Sequence, residues 1–90
     1  MTGNTAAMAA AAFAAETLTP STWSTNAGYR FAQHRHDRAK VLFCVEGAIT
    51  FHLADGDLTL RSGDRLDLPA ATTHAATAGD RGVTCMEAFR

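Results

Sequence analysis

Two histidines one residue apart, His34 and His36, lie in the stretch GYRFAQHRHDRAKVLFCVEG. Residues at positions i and i+2 of an extended strand point to the same face, so both imidazoles can reach one metal ion. His74 follows Pro69 at the start of a later β-prone run and is the candidate third ligand. Three neutral imidazoles suit a divalent Fe, Zn, Mn, Ni or Cu ion and leave coordination positions open for water or substrate. A histidine pair of this kind is also common on exposed strands.

The elements that position these histidines begin after an alanine-rich segment, residues 1–20. Alanine is the strongest helix former, Asn4 or Thr5 can cap the helix, and Pro20 stops the pattern, so we expect a helix over residues 6–16. An isolated helix of this length is marginal in water. It must therefore pack on the rest of the chain, pair with another subunit, or fray.

The remaining chain, residues 21–90, is a series of short β-prone runs separated by glycine or aspartate turns. Residues 48–53 alternate apolar and polar side chains, as expected for a strand with one buried face. The Asp-Gly sequence of residues 54–57 predicts a hairpin turn, and GDRG at residues 79–82 is interpreted as another turn. The other predicted strands cover residues 29–34, 40–46, 58–61, 65–68, 74–78 and 83–89. Such a pattern is typical of a small antiparallel sandwich or barrel, forming a single domain.

The composition restricts the partners and the compartment. The 90 residues include 8 Lys+Arg and 9 Asp+Glu, for a formal net charge of -1. This balance gives no electrostatic case for binding nucleic acid or an anionic membrane. The N-terminal segment lacks a cationic start and a membrane-spanning length, so we expect a cytoplasmic protein. Cys44 and Cys85 have apolar neighbours and are interpreted as buried core residues, with a pocket thiol as the alternative.

Two longer spacings contain the histidines. The first is Gly28, five residues, His34-x-His36, three residues, Lys40, six residues, Gly47. The second is Gly63, five residues, Pro69-x-Ala71, two residues, His74. Together they resemble the two signature motifs of the cupin superfamily, G-x5-H-x-H-x3,4-E-x6-G and G-x5-P-x-G-x2-H-x3-N.

The resemblance implies an all-β double-stranded β-helix, the cupin jelly-roll barrel, preceded here by the short N-terminal helix. It also implies a metal ion held near one mouth of the barrel by His34, His36 and His74, and a homodimer. The chain departs from the motifs at three places: Lys40 replaces the glutamate, Ala71 replaces the glycine and Ala78 replaces the asparagine. Because alanine disfavours positive φ, Ala71 suggests a turn that needs none.

Lys40 is the most informative departure. An inward-pointing ammonium about 4–6 Å from a divalent ion would be repelled by a few kcal/mol at an effective dielectric of about 20. Lys40 could lose its proton and act as a base or ligand, or stay charged and pair with an anionic substrate. It could also bend toward the mouth and pair with Asp37, Glu46 or Glu87. A last alternative is a metal-free site in which Lys40 binds an anion directly.

Four further side chains are pocket candidates. Leu42 and Cys44 share a strand face with Lys40. His52 lies on the polar side of its strand, so it is either a rim histidine or a pocket acid/base. Glu87, a carboxylate among apolar neighbours near the C-terminus, is a candidate partner for Lys40 or a substitute for the missing motif glutamate.

These observations lead to two main functional hypotheses. Three-histidine cupins similar in ligand set include cysteine dioxygenase-like and acetylacetone dioxygenase-like enzymes. The first hypothesis is therefore a mononuclear metalloenzyme, dioxygenase- or isomerase-like, with one divalent ion per chain, Lys40 as a candidate catalytic residue and a small, anionic organic substrate. The alternative is a non-catalytic module that binds or senses a small molecule or anion. A structural role, with the N-terminal helix mediating assembly, is a third hypothesis.

Overall fold

A computed structural model describes residues 2–90 of the chain, and the secondary structure is mostly β. The elements are α1 (Thr2–Ala15), β1 (Ser21–Thr25), β2 (Arg30–His34), β3 (Lys40–Leu53), β4 (Gly56–Arg61), β5 (Arg65–Leu68) and β6 (His74–Phe89). No helix among these residues is long and apolar enough to cross a membrane. The predicted hairpin after residue 53 is present, since Leu53 pairs with Gly56.

The strands form two antiparallel layers that share β3 and β6. In the first layer β1 pairs with residues 83–87 of β6, and β5 pairs with residues 40–43 of β3. In the second layer β2 pairs with the start of β6, and β4 pairs with residues 48–53 of β3. Side chains from both layers meet in one buried cluster that includes Leu42, Cys85, Ile49 and Phe51. The predicted all-β jelly-roll barrel with a short N-terminal helix is thus the observed architecture.

The long strands β3 and β6 correct one predicted turn and one predicted gap between strands. The sequence analysis divided β3 at Gly47 and β6 at residues 79–82, whereas both strands run through these points with irregular register. Gly47 has φ 77°, and a Cβ at this residue would lie 2.2 Å from the carbonyl oxygen of Gly82. The glycines therefore allow two bent strands to cross closely at the barrel corner. The positive φ at Gly47 and Gly82 bends the two strands without reversing the chain.

A second correction concerns the turn before β6. Ala71 has φ 63°, so this turn does use the left-handed conformation that the sequence analysis considered unnecessary. The backbone N–H of Ala71 donates to the carbonyl of His36 at 2.7 Å, and Thr72 Oγ1 donates to the carbonyl of Pro69 at 2.8 Å. These bonds hold alanine in a conformation that it adopts at a cost of about 1–2 kcal/mol. The turn thereby ties the segment of His36 to the start of β6.

Helix α1 packs on the outer face of the first layer. It starts earlier than the predicted residue 6 and ends at Ala15, one residue before the predicted end. Ala9 and Phe13 are fully buried and belong to a cluster with Val41, Phe43 and Ala88. The rings of Phe13 and Phe43 meet edge to face at 5.4 Å. Of the three expected possibilities for this helix, packing on the body of the protein is the one observed.

An ion-pair cluster closes the end of α1 against the barrel. Glu16, just after the helix, accepts hydrogen bonds from the guanidinium groups of Arg65 and Arg90. Arg65 also donates to Asp67 and lies over the ring of Phe43, 5.5 Å from its centroid. The hydrogen bonds from Arg65 and then Arg90 lower the pKa of Glu16 to about 2.

We expect Glu16→Gln to remove part of the acid sensitivity of the fold. Because the folded-state pKa is depressed from 4.5 to about 2, the stabilisation is fully present above pH 4.5 and is lost as pH falls toward 2. Thermal unfolding of the wild type should therefore shift downward more than that of Glu16→Gln across this interval. Asp55→Asn, at an exposed turn residue, is the control and should behave as wild type. Parallel pH curves for wild type and Glu16→Gln would contradict the assignment.

Candidate metal centre

The three motif histidines converge where β2 ends and β6 begins. His34 and His74 are directly paired across these strands, and His36 lies two residues beyond β2. One ring nitrogen from each of the three lies within 4.8 Å of those of the others. The ring centroids are 4.2 Å apart for His34 and His74, 4.9 Å for His34 and His36, and 5.7 Å for His36 and His74. A distance of this size between nitrogens is compatible with all three ligating one ion.

Backbone carbonyls orient two of the imidazoles. His34 Nδ1 lies 2.7 Å from the carbonyl oxygen of Ala32, and His74 Nδ1 lies 2.9 Å from that of Thr72. A carbonyl only accepts, so Nδ1 carries the proton in each ring and the Nε2 lone pair is free. His36 Nε2 is buried and has no hydrogen-bond partner among the described residues. Three histidines with free or orphaned nitrogens fit a divalent metal ion.

The surroundings favour the neutral, ligating form of the imidazoles. Burial, followed by the charges of Lys40 and His34, lowers the pKa of His36 below its usual range. Burial is also the main cause that lowers the pKa of His74, which is only 1% exposed, although the carbonyl of Thr72 opposes the shift. Only neutral imidazole offers a lone pair to a metal, so these shifts reduce the proton competition for the site.

A charged pair lies next to the histidines. Lys40 Nζ is 3.4 Å from Glu87 Oε1, and the same oxygen accepts a hydrogen bond of 2.9 Å from Trp23 Nε1. Lys40 is 9% exposed and its ammonium also lies 5.2 Å from the ring centroid of Phe89. Of the alternatives left open for Lys40, the observed geometry is the pairing with Glu87.

These groups line a cavity of about 560 Å³ between the two layers. Its polar end contains the three histidines, Lys40 and Glu87. The rest of its wall includes aromatic and aliphatic side chains from both layers, namely Trp23, Tyr29, Phe31, Leu42, Ile49 and Phe51. A cavity of this size holds a small organic molecule, and its polar end brings that molecule to the imidazoles.

Residues 24–86, more than half of the sequence, match the family model described as AraC-like ligand binding domain. The chain belongs to this family. Its barrel is of the cupin type, in agreement with the two spacing motifs. No curated protein sequence matches the chain significantly.

Solved structures similar to this AraC-like domain include proteins named as cupins and proteins named as enzymes. An RmlC-like cupin from Shewanella frigidimarina has 22% identity and a TM-score of 0.71, and the match covers 80% of this chain and 64% of that one. The DMSP lyase DddQ from Ruegeria pomeroyi has 23% identity and a TM-score of 0.74, and the match covers 81% of this chain and 38% of that one. An oxalate decarboxylase from Bacillus subtilis has 18% identity and a TM-score of 0.72, and the match covers 80% of this chain and 20% of that one. The chain spans less than two thirds of the length of each of these three structures, and the likeness shows the fold.

Within this AraC-like domain the pocket candidates separate into two groups. Leu42 and Glu87 line the cavity with Lys40, whereas Cys44 does not. Cys44 shares their strand face but lies deeper, in the core, where it is fully buried directly opposite Cys85. A hydrogen bond between the two thiols lowers the pKa of Cys44 and raises that of Cys85. Both cysteines therefore occupy the core positions that the sequence predicted.

His52 lies away from the histidine cluster, on the outer face of the second layer. Its Nδ1 is 2.9 Å from Asp57 Oδ1 and its Nε2 is 2.8 Å from Thr77 Oγ1. It borders a shallow depression of about 300 Å³ on that face. His52 does not line the cavity that contains the three histidines, so its position agrees with the interpretation as a rim histidine and not with a pocket acid/base.

Two cavity residues were missed or only partly anticipated. The sequence analysis did not predict the hydrogen bond from Trp23 to Glu87. Thr25 was not considered at all, although it lines the cavity and its Oγ1 is buried without a hydrogen-bond partner. The alternation of Trp23 and Thr25 with exposed Ser24 was the available signal, since it marks β1 as a strand with one inner face.

Proposed function

We propose that the protein is a mononuclear metalloenzyme that binds one divalent transition-metal ion through His34, His36 and His74 and acts on a small organic anion. The observation that carries this proposal is the convergence of three imidazoles, two of them oriented by backbone carbonyls, at the polar end of a ligand-sized cavity. A bound ion of this kind supplies Lewis-acid polarisation of a ligand oxygen and, when it is redox-active, reactivity toward O2.

Lys40 and Glu87 have separate roles in this proposal. The Lys40 ammonium has three donors and lies near one carboxylate oxygen, so it can also bind an anionic group of a substrate beside the histidines. Glu87 Oε1 is engaged by Trp23 and Lys40, which holds the carboxylate in place at the cavity wall. A carboxylate fixed at this position can accept a proton from a bound substrate.

The comparisons support an enzyme without naming its reaction. The same fold occurs in structures named as a DMSP lyase and an oxalate decarboxylase. These names belong to those proteins, and one fold carries many activities. The dioxygenase- or isomerase-like reaction is therefore proposed only because other three-histidine cupins with this ligand set are such enzymes.

Metal analysis of untagged protein purified without chelator tests the proposal. We expect about one divalent ion per chain, removal of the ion by EDTA, and a lower thermal midpoint in the metal-free protein, because binding to the folded state stabilises it. The reloaded protein should then convert a small organic acid, with O2 consumption for a dioxygenase or an NMR-detected product for an isomerase. Substoichiometric metal together with an unchanged midpoint after EDTA would contradict the metal site.

A second candidate function is a ligand-binding or sensing module. The match to an AraC-like ligand binding domain favours it, because that description names binding and no reaction. The Lys40–Glu87 pair could hold an anion in such a module as well as in an enzyme. Recovery of a ligand unchanged after prolonged incubation with the metal-loaded protein supports this candidate, and any turnover excludes it.

A further inference from the structure

Cys44 and Cys85 are nucleophilic side chains that the proposed function does not use. They are the two cysteines of the chain, and both are free thiols. They are direct partners in the register between β3 and β6, and both are completely buried in the same core cluster. Because directly opposite residues point to one face of a sheet, the two sulfur atoms are neighbours, although about 40 residues separate them along the chain.

Backbone hydrogen bonds show which kind of cross-strand pair the cysteines form. The N–H of Cys44 donates to the carbonyl of Asp64 at 3.0 Å, and the carbonyl of Cys44 accepts from the N–H of Gly63 at 2.8 Å. Both groups therefore point away from β6, so Cys44 and Cys85 form a non-hydrogen-bonded pair of the antiparallel ladder. The Cα atoms of such a pair are about 4.5 Å apart. This separation lies at the short end of the range, about 4.4–6.8 Å, that a disulfide bridges.

The two thiols differ in acidity. A hydrogen bond from the Cys85 thiol to the Cys44 sulfur is the main cause that lowers the pKa of Cys44. The same contact, followed by burial, raises the pKa of Cys85. The thiolate is the form of cysteine that reacts with a peroxide. Cys44 is therefore the expected point of attack, and Cys85 is the adjacent thiol that can react with the oxidised product.

Burial restricts the oxidants that can reach this pair. Both side chains are 0% exposed, so contact with an oxidant requires local opening of the strands. A disulfide such as oxidised glutathione would have to form a bulky mixed disulfide inside the core. Hydrogen peroxide is only slightly larger than a water molecule and leaves no group attached once the reaction is complete. A peroxide is therefore the class of oxidant that fits the site, and local opening limits the rate.

We propose that hydrogen peroxide converts Cys44 and Cys85 into a cross-strand disulfide that links β3 to β6. In the first step the Cys44 thiolate attacks one peroxide oxygen, the O–O bond breaks, and Cys44 becomes a sulfenic acid with release of hydroxide. In the second step the Cys85 sulfur attacks the Cys44 sulfur, the S–O bond breaks, and the hydroxyl leaves as water with the Cys85 proton. Overall, two thiols and one peroxide give one disulfide and two water molecules.

The disulfide would lie next to the cavity. Leu42 and Glu87 are the neighbouring pair two residues along both strands, and both line the cavity. A covalent bond at the cysteines restricts the unfolded chain and opposes separation of β3 from β6. We therefore expect the oxidised protein to have a thermal midpoint at least about 5 °C above that of the reduced protein.

Intact mass after thiol labelling measures the disulfide. EDTA-treated wild-type protein is incubated with hydrogen peroxide, catalase removes the excess, and N-ethylmaleimide labels the remaining thiols in denaturant. We expect a monomer that has lost two hydrogen atoms and takes up no label, and that takes up two labels after reduction with a phosphine. Peptide mapping locates the link and distinguishes it from methionine oxidation. Because the metal is removed beforehand, the result does not depend on the proposed function.

Single-cysteine variants are the matched controls. In Cys85→Ala the Cys44 thiol has no partner, so peroxide should add oxygen to Cys44 and the thermal midpoint should not rise. Cys44→Ala should likewise show no rise, and midpoints before oxidation establish that both variants are folded. Two labelled thiols in wild type after prolonged incubation would overturn the inference. Sulfinic acid as the main product, links only between different chains, or a disulfide that leaves the midpoint unchanged or lower would also overturn it.

Discussion

His74→Ala is expected to lower the affinity for the metal ion at least 100-fold, whereas His52→Ala leaves it unchanged. His74 is buried and its Nδ1 is fixed by the carbonyl of Thr72, so its Nε2 is held toward the other two imidazoles. Loss of partners that only orient a ligand commonly costs 10–100-fold in metal affinity. Loss of the ligand itself should cost at least as much, and activity should fall with the metal content.

His52→Ala is a matched control for this prediction. It removes the same side chain from an adjacent strand, but His52 contacts Asp57 and Thr77 on the outer face. Because replacing a fully buried residue can destabilise the fold, His34→Ala at a half-buried position serves as the second test variant. Metal content by atomic emission and affinity by competition with a chromophoric chelator are the measurements. Equal metal binding by wild type and both site variants would rule out the three-histidine centre.

The fold and the histidine cluster were predictable because they depend on short-range spacing. The one-residue spacing of His34 and His36 predicts that both imidazoles reach one ion, although His36 lies two residues beyond the end of β2. The Pro69-to-His74 spacing resembles the part of the cupin motif that carries the third histidine. The strand at residues 65–68 follows from the alternation of charged and leucine side chains and is observed with the predicted bounds, and the strand predicted at residues 29–34 is observed one residue shorter, as Arg30–His34. These features need only local geometry, and the resemblance added how the distant segments meet.

The parts that were not predicted depend on long-range contacts. A glycine such as Gly47 signals a positive φ, but only the approach of Gly82 decides that β3 bends and continues. Ala71 was misjudged because propensity describes the residue alone, whereas the hydrogen bond to His36 imposes the conformation. The unpaired hydroxyl of Thr25 likewise becomes visible only when its surroundings are known.

Lys40→Glu is expected to raise the affinity for the metal ion at least tenfold and to weaken carboxylate binding by a similar factor. With neutral imidazoles, a divalent ion, Lys40 and Glu87 give the wild-type site a formal charge of +2. The substitution brings this charge to zero and restores the glutamate of the first motif. At an effective dielectric of about 20, one unit charge about 5 Å from a divalent ion contributes several kcal/mol, so a tenfold change is a conservative expectation.

Two further variants separate charge from ligation. Lys40→Met removes the ammonium without adding a ligand, so its gain in metal affinity should be smaller than that of Lys40→Glu, while its loss of carboxylate binding should remain. Arg81→Glu makes the same charge change at an exposed residue and should alter neither affinity. Chelator competition measures the metal, and calorimetry with phenylacetate measures the anion.

The direction of the metal effect also distinguishes the roles left open for Lys40. If the ammonium is charged and paired with Glu87, as its 3.4 Å contact indicates, removing it relieves repulsion and metal binding strengthens. If Lys40 instead loses its proton and ligates the ion, Lys40→Met removes a ligand and metal binding weakens, as it does in His74→Ala. In that case carboxylate affinity should fall only as far as metal occupancy falls. Stronger metal binding combined with weaker carboxylate binding is the pattern that identifies Lys40 as the anion-binding residue of an open three-histidine site.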